Sequence, residues 1–560
     1  RERAAGADAV TGSLRDEEAG TTTEFPELMR PLREPRESRR VRVISGSVPE
    51  ALHGGVFMRN GPDQRHAPLF PEGRHWFDGD GMIHWCHLSA GDGAQSYGCS
   101  YVETQGFKEE REKGGEALYC GIKQSPILDL VLHGMWSKVR NFPTPDRPWW
   151  VIQTKNTANN GLLVTGKGTL LATYEAGSPY EIRFERSGGG GADSSKLRLV
   201  TEGVYTPTQR DAPVHPILGA YNHYLHNFTA HAKVCPRTNE VIFLSYDLIG
   251  QRFSVGVLDS DDSLVSMETF EFPFAEGEAC MMHDFAITEG KVVLMAHPLL
   301  FDKEQSMGGG VPFTYDMSAP SFFGILDRRR GGSDGLGTEA EVSWIEADNC
   351  YCFHSMACWE EGETVHLYAH RLDVTGALGM ATFRRDGNEE RPRVEEKARL
   401  HKWTLQTAGR GEARGKVVES REVGAERIYS DFPEINPEYT GRPVRYGYSL
   451  RISERKSAGD GVPLFDRVMK MNLEDETVEA SWESEGKVMD DMTFVPDPNR
   501  QEEDGGWLLF FSHQLEASKS FLEILDASTL TLQCTVELPR IPLGFHATFV
   551  PVEVVKTMIG

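Results

Sequence analysis

The sequence predicts an all-β protein folded as a closed β-propeller. Short runs of β-branched and aromatic residues recur from Val41 to the end of the chain, among them EVIFLSYDL, KVVLMAHP and GWLLFFSH. Turn residues bound each run, and amphipathic helical patterns are few. No compositional break marks a linker, which favours one closed propeller over several sandwiches. Because no WD or kelch signature recurs at a fixed period, we expect the blades to be degenerate.

Two regions are predicted along the chain. Residues 1–38 are rich in Arg, Glu, Gly and Thr without apolar periodicity, and we interpret them as a mobile N-terminal arm. Residues 39–560 are predicted to form a single propeller domain that carries the catalytic site. The strongest helical pattern within it is SPILDLVLHGMWSKVR at 125–140.

The composition of the chain limits which partners and which cellular compartment are expected for this protein. The formal charge of −25, from 84 acidic and 59 basic residues, disfavours nucleic acid as a partner. Nine scattered cysteines without a CxxC pair argue against a disulfide framework and favour a reducing compartment. No apolar run approaches membrane-spanning length and no signal-peptide pattern opens the chain. We therefore expect a soluble or peripheral membrane protein, and these features are compatible with the cytoplasm.

Four of the 18 histidines stand out, since each lies inside or beside a strand-like run and has apolar or small neighbours. They are His231 in TAHAKV, His283 in MMHDFAI, His354 in FHSMAC and His546 in GFHATFV. A buried imidazole needs partners for both ring nitrogens, and a metal on one with a carboxylate on the other supplies them. Separations of 52, 71 and 192 residues exclude a local motif, but the inner strands of a propeller could bring the four together. Ordinary hydrogen-bonded core histidines are the alternative, and ligand type leaves Fe, Cu, Zn and Ni open.

Several longer motifs resemble the carotenoid oxygenase family. The resemblance starts with FMRNGPD at 57–63 and HWFDGDGMIH at 75–84. It continues through TAHAKV, MHDFAIT, CFHSMACWEE, DFPEINPEYTGRPVRYGY, FVPDP at 494–498 and GFHATFVP, and covers about residues 40–552.

This resemblance implies a seven-bladed propeller whose few helices and loops cap an axial metal site. It implies one Fe²⁺ per subunit, held by His231, His283, His354 and His546, which form the catalytic set. Family members use O₂ to cleave a carbon–carbon double bond of an apolar polyene such as a carotenoid or apocarotenoid, giving aldehyde or ketone products. Such substrates imply a plastid as an alternative to the cytoplasm. Alternatives within the family are a stilbene-cleaving oxygenase and a retinoid-isomerase-like enzyme. An alternative of another class is a non-catalytic propeller scaffold with a structural metal.

The resemblance also implies carboxylates behind three of the histidines. Glu175 matches the first, but Asp431 and Asp491 stand where the family pattern has glutamate. Since aspartate is one methylene shorter, either the backbone has moved inward or a water bridges the gap. Strand alternation predicts that the adjacent Glu434 and Asp490 face solvent.

Substrate residues are predicted from their place beside the presumed site. Tyr174 occupies the position where stilbene-cleaving relatives carry lysine, which favours a polyene substrate, and Lys155 lies too early to replace that lysine. We expect Tyr174, Phe353 and Phe545 to line an apolar tunnel. Residues 126–139 are expected either to pack on the propeller or to contact a membrane surface.

Two further motifs suggest a second metal site. FDGDG at 77–81 suggests a calcium loop but lacks the terminal glutamate, so a turn with capping aspartates is favoured. Strand alternation would place Cys350, Cys352 and His354 on one face, which suggests zinc. Since a second cysteine pair is missing, we favour ordinary core cysteines.

Overall fold

The computed structural model describes most of the chain. The described residues are 27–67, 75–90, 95–116, 155–175, 177–186, 197–209, 228–248, 250–307, 310–328, 336, 340–384, 395–407, 415–424, 426–454, 462–515 and 518–559. The segment 126–139, for which membrane contact is predicted, lies outside them, as do residues 1–26 of the predicted arm.

Strands dominate the described residues. The first twelve strands are β1 (Arg36–Arg40), β2 (Arg42–Gly46), β3 (Val56–Arg59), β4 (Pro62–Asp63), β5 (Asp80–His87), β6 (Ser96–Tyr101), β7 (Gly161–Val164), β8 (Leu170–Tyr174), β9 (Gly177–Arg186), β10 (Leu197–Val204), β11 (Thr208–Gln209) and β12 (Lys233–Val234). The next twelve are β13 (Val241–Asp247), β14 (Arg252–Leu258), β15 (Ser263–Glu271), β16 (Phe285–Ile287), β17 (Lys291–Ala296), β18 (Leu299–Phe301), β19 (Phe313–Asp316), β20 (Ser321–Asp327), β21 (Ser343–Ala347), β22 (Tyr351–Glu361), β23 (Thr364–Leu372) and β24 (Ala381–Arg384). The remaining strands are β25 (Arg399–Gln406), β26 (Lys416–Glu422), β27 (Ser430–Glu434), β28 (Tyr446–Ile452), β29 (Phe465–Asn472), β30 (Thr477–Glu483), β31 (Lys487–Pro496), β32 (Gly506–Gln514), β33 (Lys519–Asp526), β34 (Leu532–Leu538) and β35 (Ala547–Val550).

These strands form seven antiparallel blades within the described part of the chain, as predicted. In chain order, blade 1 is β3, β5 and β6; blade 2 is β7–β10; blade 3 is β12–β15; blade 4 is β16, β17, β20 and β21; blade 5 is β22, β23, β25 and β26; blade 6 is β27–β30; and blade 7 is β31–β34. Blades 6 and 7 are joined into one sheet by a single pairing of Phe465 with Met489.

The two ends of the chain close the ring. Near the C-terminus, β35 pairs with β3 and becomes the innermost strand of blade 1. Near the N-terminus, β1 adds to the outer side of blade 1 and β2 adds to the outer side of blade 7. Both termini thereby complete blades that are begun by distant segments of the chain.

Burial explains the different sequence patterns of inner and outer strands. Strand β32, GWLLFFSHQ, is an almost continuous apolar run because neighbouring blades cover both of its faces. Outer strands such as β26, KVVESRE, alternate between exposed and partly buried positions because one face meets solvent.

Helices are short and few in the described residues. They are α1 (Gln105–Lys113), α2 (Lys303–Met307) and α3 (Val552–Ile559), with 3₁₀ turns at Glu27–Met29, Glu50–Leu52, Trp76–Asp78, Ala377–Gly379 and Pro437–Tyr439. A small sheet of β18, β19 and β24 packs beside the ring. None of the helices described here has the length and apolar character needed to cross a bilayer.

The boundary predicted for the mobile arm differs from the structure. Residues 27–38 lie on the propeller, where Met29 is buried in an apolar cluster with Trp76 and Leu543. The backbone N–H groups of Leu32 and Arg33 donate to the Asp63 carboxylate at 2.6 and 3.0 Å. The structure places these residues on the propeller through contacts of scattered residues, which leave no periodic apolar pattern in the sequence.

Candidate metal centre

The four histidines lie at the inner strands of four blades. His231 lies just before β12, His283 just before β16 and His546 just before β35, while His354 lies within β22. Each of these strands is the terminal strand of its sheet on the side of the ring axis. The long sequence separations therefore become short distances through the closure of the ring.

The geometry of the cluster fits a metal ion. One donor atom from each of the four imidazoles lies within 4.8 Å of the other three. The Nε2 atoms of His231 and His283 are 3.0 Å apart. Two nitrogens bound at right angles to one ion, each at about 2.1 Å, are separated by about 3 Å.

Three of the imidazoles turn their other nitrogen toward a carboxylate. Nδ1 of His354 lies 2.8 Å from Oδ1 of Asp431, and Nδ1 of His546 lies 3.2 Å from Oδ2 of Asp491. Nδ1 of His283 lies 3.5 Å from Oε2 of Glu175. Their Nε2 atoms are thereby directed inward, and that of His354 is buried with no hydrogen-bond partner among the described residues. Such donors suit a metal whose ligands are oriented from behind.

The two aspartates reach their histidines directly because the backbone carries irregularities there. The pairing register of β27 with β28 shifts between Asp431 and Glu434, and that of β31 with β32 shifts between Met489 and Met492. Phe432, next to Asp431, has a φ of 52°, in the left-handed region. A bulge re-aims a side chain, so the inward-moved backbone explains the shorter residues without a bridging water.

Glu175 has a second partner that fixes its carboxylate. The hydroxyl of Tyr246 donates to Oε1 of Glu175 at 2.7 Å. The other oxygen, Oε2, is the one that lies toward His283. Tyr246 was not predicted as part of the site, because it lies 71 residues away in β13 and no sequence pattern links it to Glu175.

Burial and neighbouring charges set the protonation of the imidazoles. Burial, together with the three adjacent imidazoles, holds the pKa of His231 well below its usual range. Burial also lowers the pKa of His546, although Asp491 opposes that shift. For His354, burial is outweighed by the Asp431 carboxylate and the pKa is raised. His231 and His546 thus stand as neutral bases, and His354 as the partner of an ionised carboxylate.

Asp490 and Glu434 do not face solvent, which corrects the prediction from strand alternation. The Asp490 carboxylate is buried and contacts Nε of Arg59 at 2.8 Å and Nε2 of His513 at 3.1 Å. Glu434 is partly buried, and burial together with nearby Asp491 raises its pKa well above the usual value. The alternation rule fails here because the strand register shifts in β27 and in β31, and these shifts turn Glu434 and Asp490 inward.

Asp490→Asn is expected to destabilise the fold by about 3 to 5 kcal/mol, because the guanidinium of Arg59 then stays buried without a counter-charge. Burial raises the pKa of Asp490, but Arg59 and His513 more than offset this and leave it lowered. The stabilisation is therefore present above the unfolded-state pKa of about 3.9 and is lost as the pH falls through the folded-state pKa.

Urea unfolding at neutral pH measures the change in the free energy of unfolding. Glu537→Gln, which removes pairs with the exposed Arg42 and Lys519, is the control and should change stability little. An Asp490→Asn cost no greater than that of the control would contradict the expectation.

A largely apolar cavity opens onto the histidines. Phe353 and Phe545 line it, and His283, His354 and His546 form part of its wall. Tyr174 lies near Asp78 and Thr157 instead, and it is not among the described lining residues, so its substrate role stays a prediction. Further lining residues are Trp76, Phe77, Leu372, Val462, Leu464 and Leu543.

Some of these additional residues could have been found in the sequence. Trp76 and Phe77 lie within the HWFDGDG motif, whose aspartates suggested a calcium loop. In the structure, Asp78 caps the turn by accepting a hydrogen bond from the His75 N–H. Asp80 forms an ion pair with Lys155 at 2.7 Å. The ring of Phe77 packs edge-on against Phe545 at 4.8 Å. Val462 and Leu464 carry no such signal, because only the approach of blade 6 places them at the cavity.

Glu396 shapes one side of the cavity. Its Oε1 accepts from the backbone N–H groups of Gly376 and Leu378 at 2.9 and 3.1 Å. Leu378 has a φ of 53°, so the carboxylate stabilises a left-handed turn that presents this side chain to the cavity.

Comparisons with known proteins agree with this architecture. A sequence model of the RPE65 family, described as retinal pigment epithelial membrane protein, matches residues 29–551. Carotenoid 9,10(9',10')-cleavage dioxygenase 1 of Phaseolus vulgaris is 31% identical over 534 residues, covering 91% of this chain and 86% of that protein. Pseudomonas brassicacearum lignostilbene dioxygenase has a similar fold, with a TM-score of 0.72 and 21% identity over 94% of this chain and 98% of that one. Cobalt-substituted Synechocystis apocarotenoid oxygenase aligns with a TM-score of 0.70 and 21% identity over the same shares. Because the family match spans nearly the whole chain, this protein belongs to the RPE65, or carotenoid oxygenase, family.

Proposed function

We propose that this protein is an Fe(II)-dependent dioxygenase that cleaves a carbon–carbon double bond of a carotenoid or apocarotenoid. The observation that carries the proposal is the convergence of four imidazole donors within 4.8 Å, three of which form part of the wall of an apolar cavity. The related Phaseolus vulgaris protein is named for carotenoid cleavage at the 9,10 and 9',10' positions, which supports the same class of reaction.

The reaction balances without a further reductant. One alkene and one O₂ give two carbonyl compounds, with one oxygen atom in each product. A bound ferrous ion supplies the redox chemistry that lets O₂ react with the alkene. The chain has to position that ion, orient the polyene and keep bulk water away.

The imidazoles and their carboxylates perform the first of these tasks. Four neutral nitrogen ligands leave the positive charge of the ion uncompensated by the ligands themselves. Asp431 and Asp491 accept the Nδ1 protons of His354 and His546 and so fix tautomer and orientation. Glu175 lies 3.5 Å behind Nδ1 of His283 and supplies the negative charge at that ring.

The cavity walls perform the second and third tasks. Aromatic and aliphatic side chains favour an apolar substrate and exclude water from the reacting bond. Phe353 packs edge-on against the His283 ring at 5.4 Å, so an aromatic wall begins directly beside a proposed ligand. A polyene lying along this wall would bring its double bonds past the metal position one after another.

Metal analysis combined with a substrate panel tests the proposal. We expect the purified protein to contain iron, or to take up Fe(II), and to convert β-carotene or an apocarotenal into aldehyde products. Preferential cleavage of resveratrol would favour the stilbene alternative. Isomerisation without O₂ consumption would favour the retinoid-isomerase-like alternative. A protein that could not be loaded with Fe(II) would contradict the enzymatic proposal and leave the scaffold alternative.

Phe545→Leu is expected to raise KM for a polyene by about 3- to 10-fold, because an aromatic ring in contact contributes about 0.5 to 1.5 kcal/mol beyond its area. Iron content should stay unchanged, since Phe545 donates no ligand. Steady-state kinetics and metal analysis measure the two quantities. Leu532→Ala, at an exposed position on β34, is the control. An unaltered KM would remove Phe545 from the substrate wall.

A further inference from the structure

A second cluster of metal-binding side chains lies behind the inner strand of blade 5. It consists of His297, which follows β17, together with Cys350 and Cys352 at the start of β22. All three are buried, with at most 2% of each residue exposed. One ligand atom from each lies within 4.8 Å of the others, and Nδ1 of His297 is 3.8 Å from Sγ of Cys350.

We propose that His297, Cys350 and Cys352 bind a Zn²⁺ ion that is separate from the four-histidine site. Soft thiolate sulfur and imidazole nitrogen are preferred zinc ligands. Binding replaces the two thiol protons, which pass to solvent, with two Zn–S bonds and one Zn–N bond. The charge of the ion is then matched by two thiolates, so the buried group is neutral overall.

The distances require only small adjustments. With Zn–S bonds of about 2.3 Å and a Zn–N bond of about 2.05 Å, tetrahedral zinc separates nitrogen from sulfur by about 3.6 Å and sulfur from sulfur by about 3.8 Å. The observed separation of 3.8 Å between His297 Nδ1 and Cys350 Sγ is close to the first value. The remaining spacing, at most 4.8 Å, is within reach of small rotations about the Cα–Cβ bonds.

The third ligand differs from the one suggested by strand alternation. His354 would share a face with Cys350 and Cys352 in a regular strand, but the pairing of β22 with β23 shifts register between Cys352 and Ser355. His354 instead directs its Nδ1 to Asp431. His297 takes its place next to the cysteines from the neighbouring blade, 53 residues before Cys350.

The surroundings supply an oxygen atom as the fourth ligand and leave one ring nitrogen of His297 without a hydrogen bond in the described part of the chain. The Ser321 hydroxyl lies 3.1 Å from Nδ1 of His297 and 3.6 Å from Sγ of Cys350. It donates to the carbonyl of Cys350 and accepts from the N–H of the same residue, which holds it in place. Nε2 of His297 is buried without a hydrogen-bond partner among the described residues.

A zinc ion here would connect two blades. His297 belongs to the segment that leaves blade 4, whereas the cysteines begin the inner strand of blade 5. The same strand carries His354 two residues after Cys352. We therefore assign the second ion a structural role, in which it fixes the start of β22 relative to blade 4.

The test uses iron-loaded full-length protein produced in medium supplemented with Zn²⁺ or with Cd²⁺. The metal is supplied during expression, because side chains this buried admit an ion slowly after folding. We expect one equivalent of Zn²⁺ or Cd²⁺ per chain in addition to iron. X-ray absorption at the zinc edge should show two sulfur neighbours at about 2.3 Å. The Cd²⁺ protein should show thiolate-to-metal charge-transfer absorption.

Variants locate the ion. Cys350→Ser and Cys352→Ser should lose the charge-transfer absorption, and Cys358→Ser, a buried cysteine on the same strand, should retain it. Wild-type protein with no second metal, or with zinc in an all-nitrogen environment, would overturn the proposal even if the variants failed to fold. A Cys350–Cys352 disulfide found by mass mapping would overturn it as well, as would undiminished absorption in Cys352→Ser.

Discussion

The His354→Ala variant is expected to retain its propeller while losing iron and all measurable cleavage. Removal of this imidazole deletes one of four converging nitrogen donors and leaves the Asp431 carboxylate buried without its partner at 2.8 Å. Loss of a residue that merely orients a ligand already costs about 10- to 100-fold in metal affinity or activity, so loss of the ligand itself should cost more than about 100-fold. Metal analysis after desalting and product formation from an apocarotenal measure the two effects.

The control for this variant is another strand histidine outside the centre. His366, on β23, packs its ring against Trp359 at a tilt of 32° and lies outside the four-histidine cluster. His366→Ala should therefore keep its iron and its turnover. Circular dichroism and thermal unfolding establish that both variants fold. Full activity in folded His354→Ala would remove this residue from the ligand set.

The Asp431→Glu variant is expected to bind iron up to about 100-fold more weakly, although it restores the residue found in the family pattern. The carboxylate already contacts Nδ1 of His354 at 2.8 Å, and the irregular backbone at Phe432 places it there. An additional methylene extends the side chain by about 1.5 Å, which has to push the imidazole inward or fold the glutamate away from it.

Competition with a chelator gives the dissociation constants that check this expectation. Asp327→Glu, at the surface end of β20, makes the same chemical change without contact to the centre and should leave the affinity unaltered. Asp431→Ala should weaken binding too, because the tautomer of His354 is then no longer fixed. Equal or tighter iron binding by Asp431→Glu would mean that the shorter side chain is not matched to an inward-moved backbone.

Local sequence signals were sufficient for the strands and for the identity of the four histidines. Runs such as GWLLFFSH predict a strand because burial between two blades demands apolar residues at consecutive positions. The histidines stand in motifs that resemble those of a known family, and the resemblance also supplied the number of blades. Neither the number nor the closure by β35 could have been read from a period, because the blades differ in length and in connections.

Side-chain direction near the centre depended on strand pairing instead. Asp490 and Asp491 are adjacent, yet one pairs with Arg59 and the other contacts His546, because the ladder of β31 shifts register beside them. The same kind of shift turns His354 away from Cys350 and Cys352. An alternation rule assumes a regular ladder, and these irregularities exist only where two distant strands meet.

The sequence by itself determined the all-β character, the set of candidate ligands and the carboxylates that stand behind them. These properties reside in the residues and their immediate neighbours. Only the tertiary structure decided that the aspartates reach their imidazoles directly, that Val462 and Leu464 line the cavity, and that His297 joins two cysteines of another blade. Each of these contacts joins segments far apart in the chain, and their distance is set by the closure of the ring and the bulges within it.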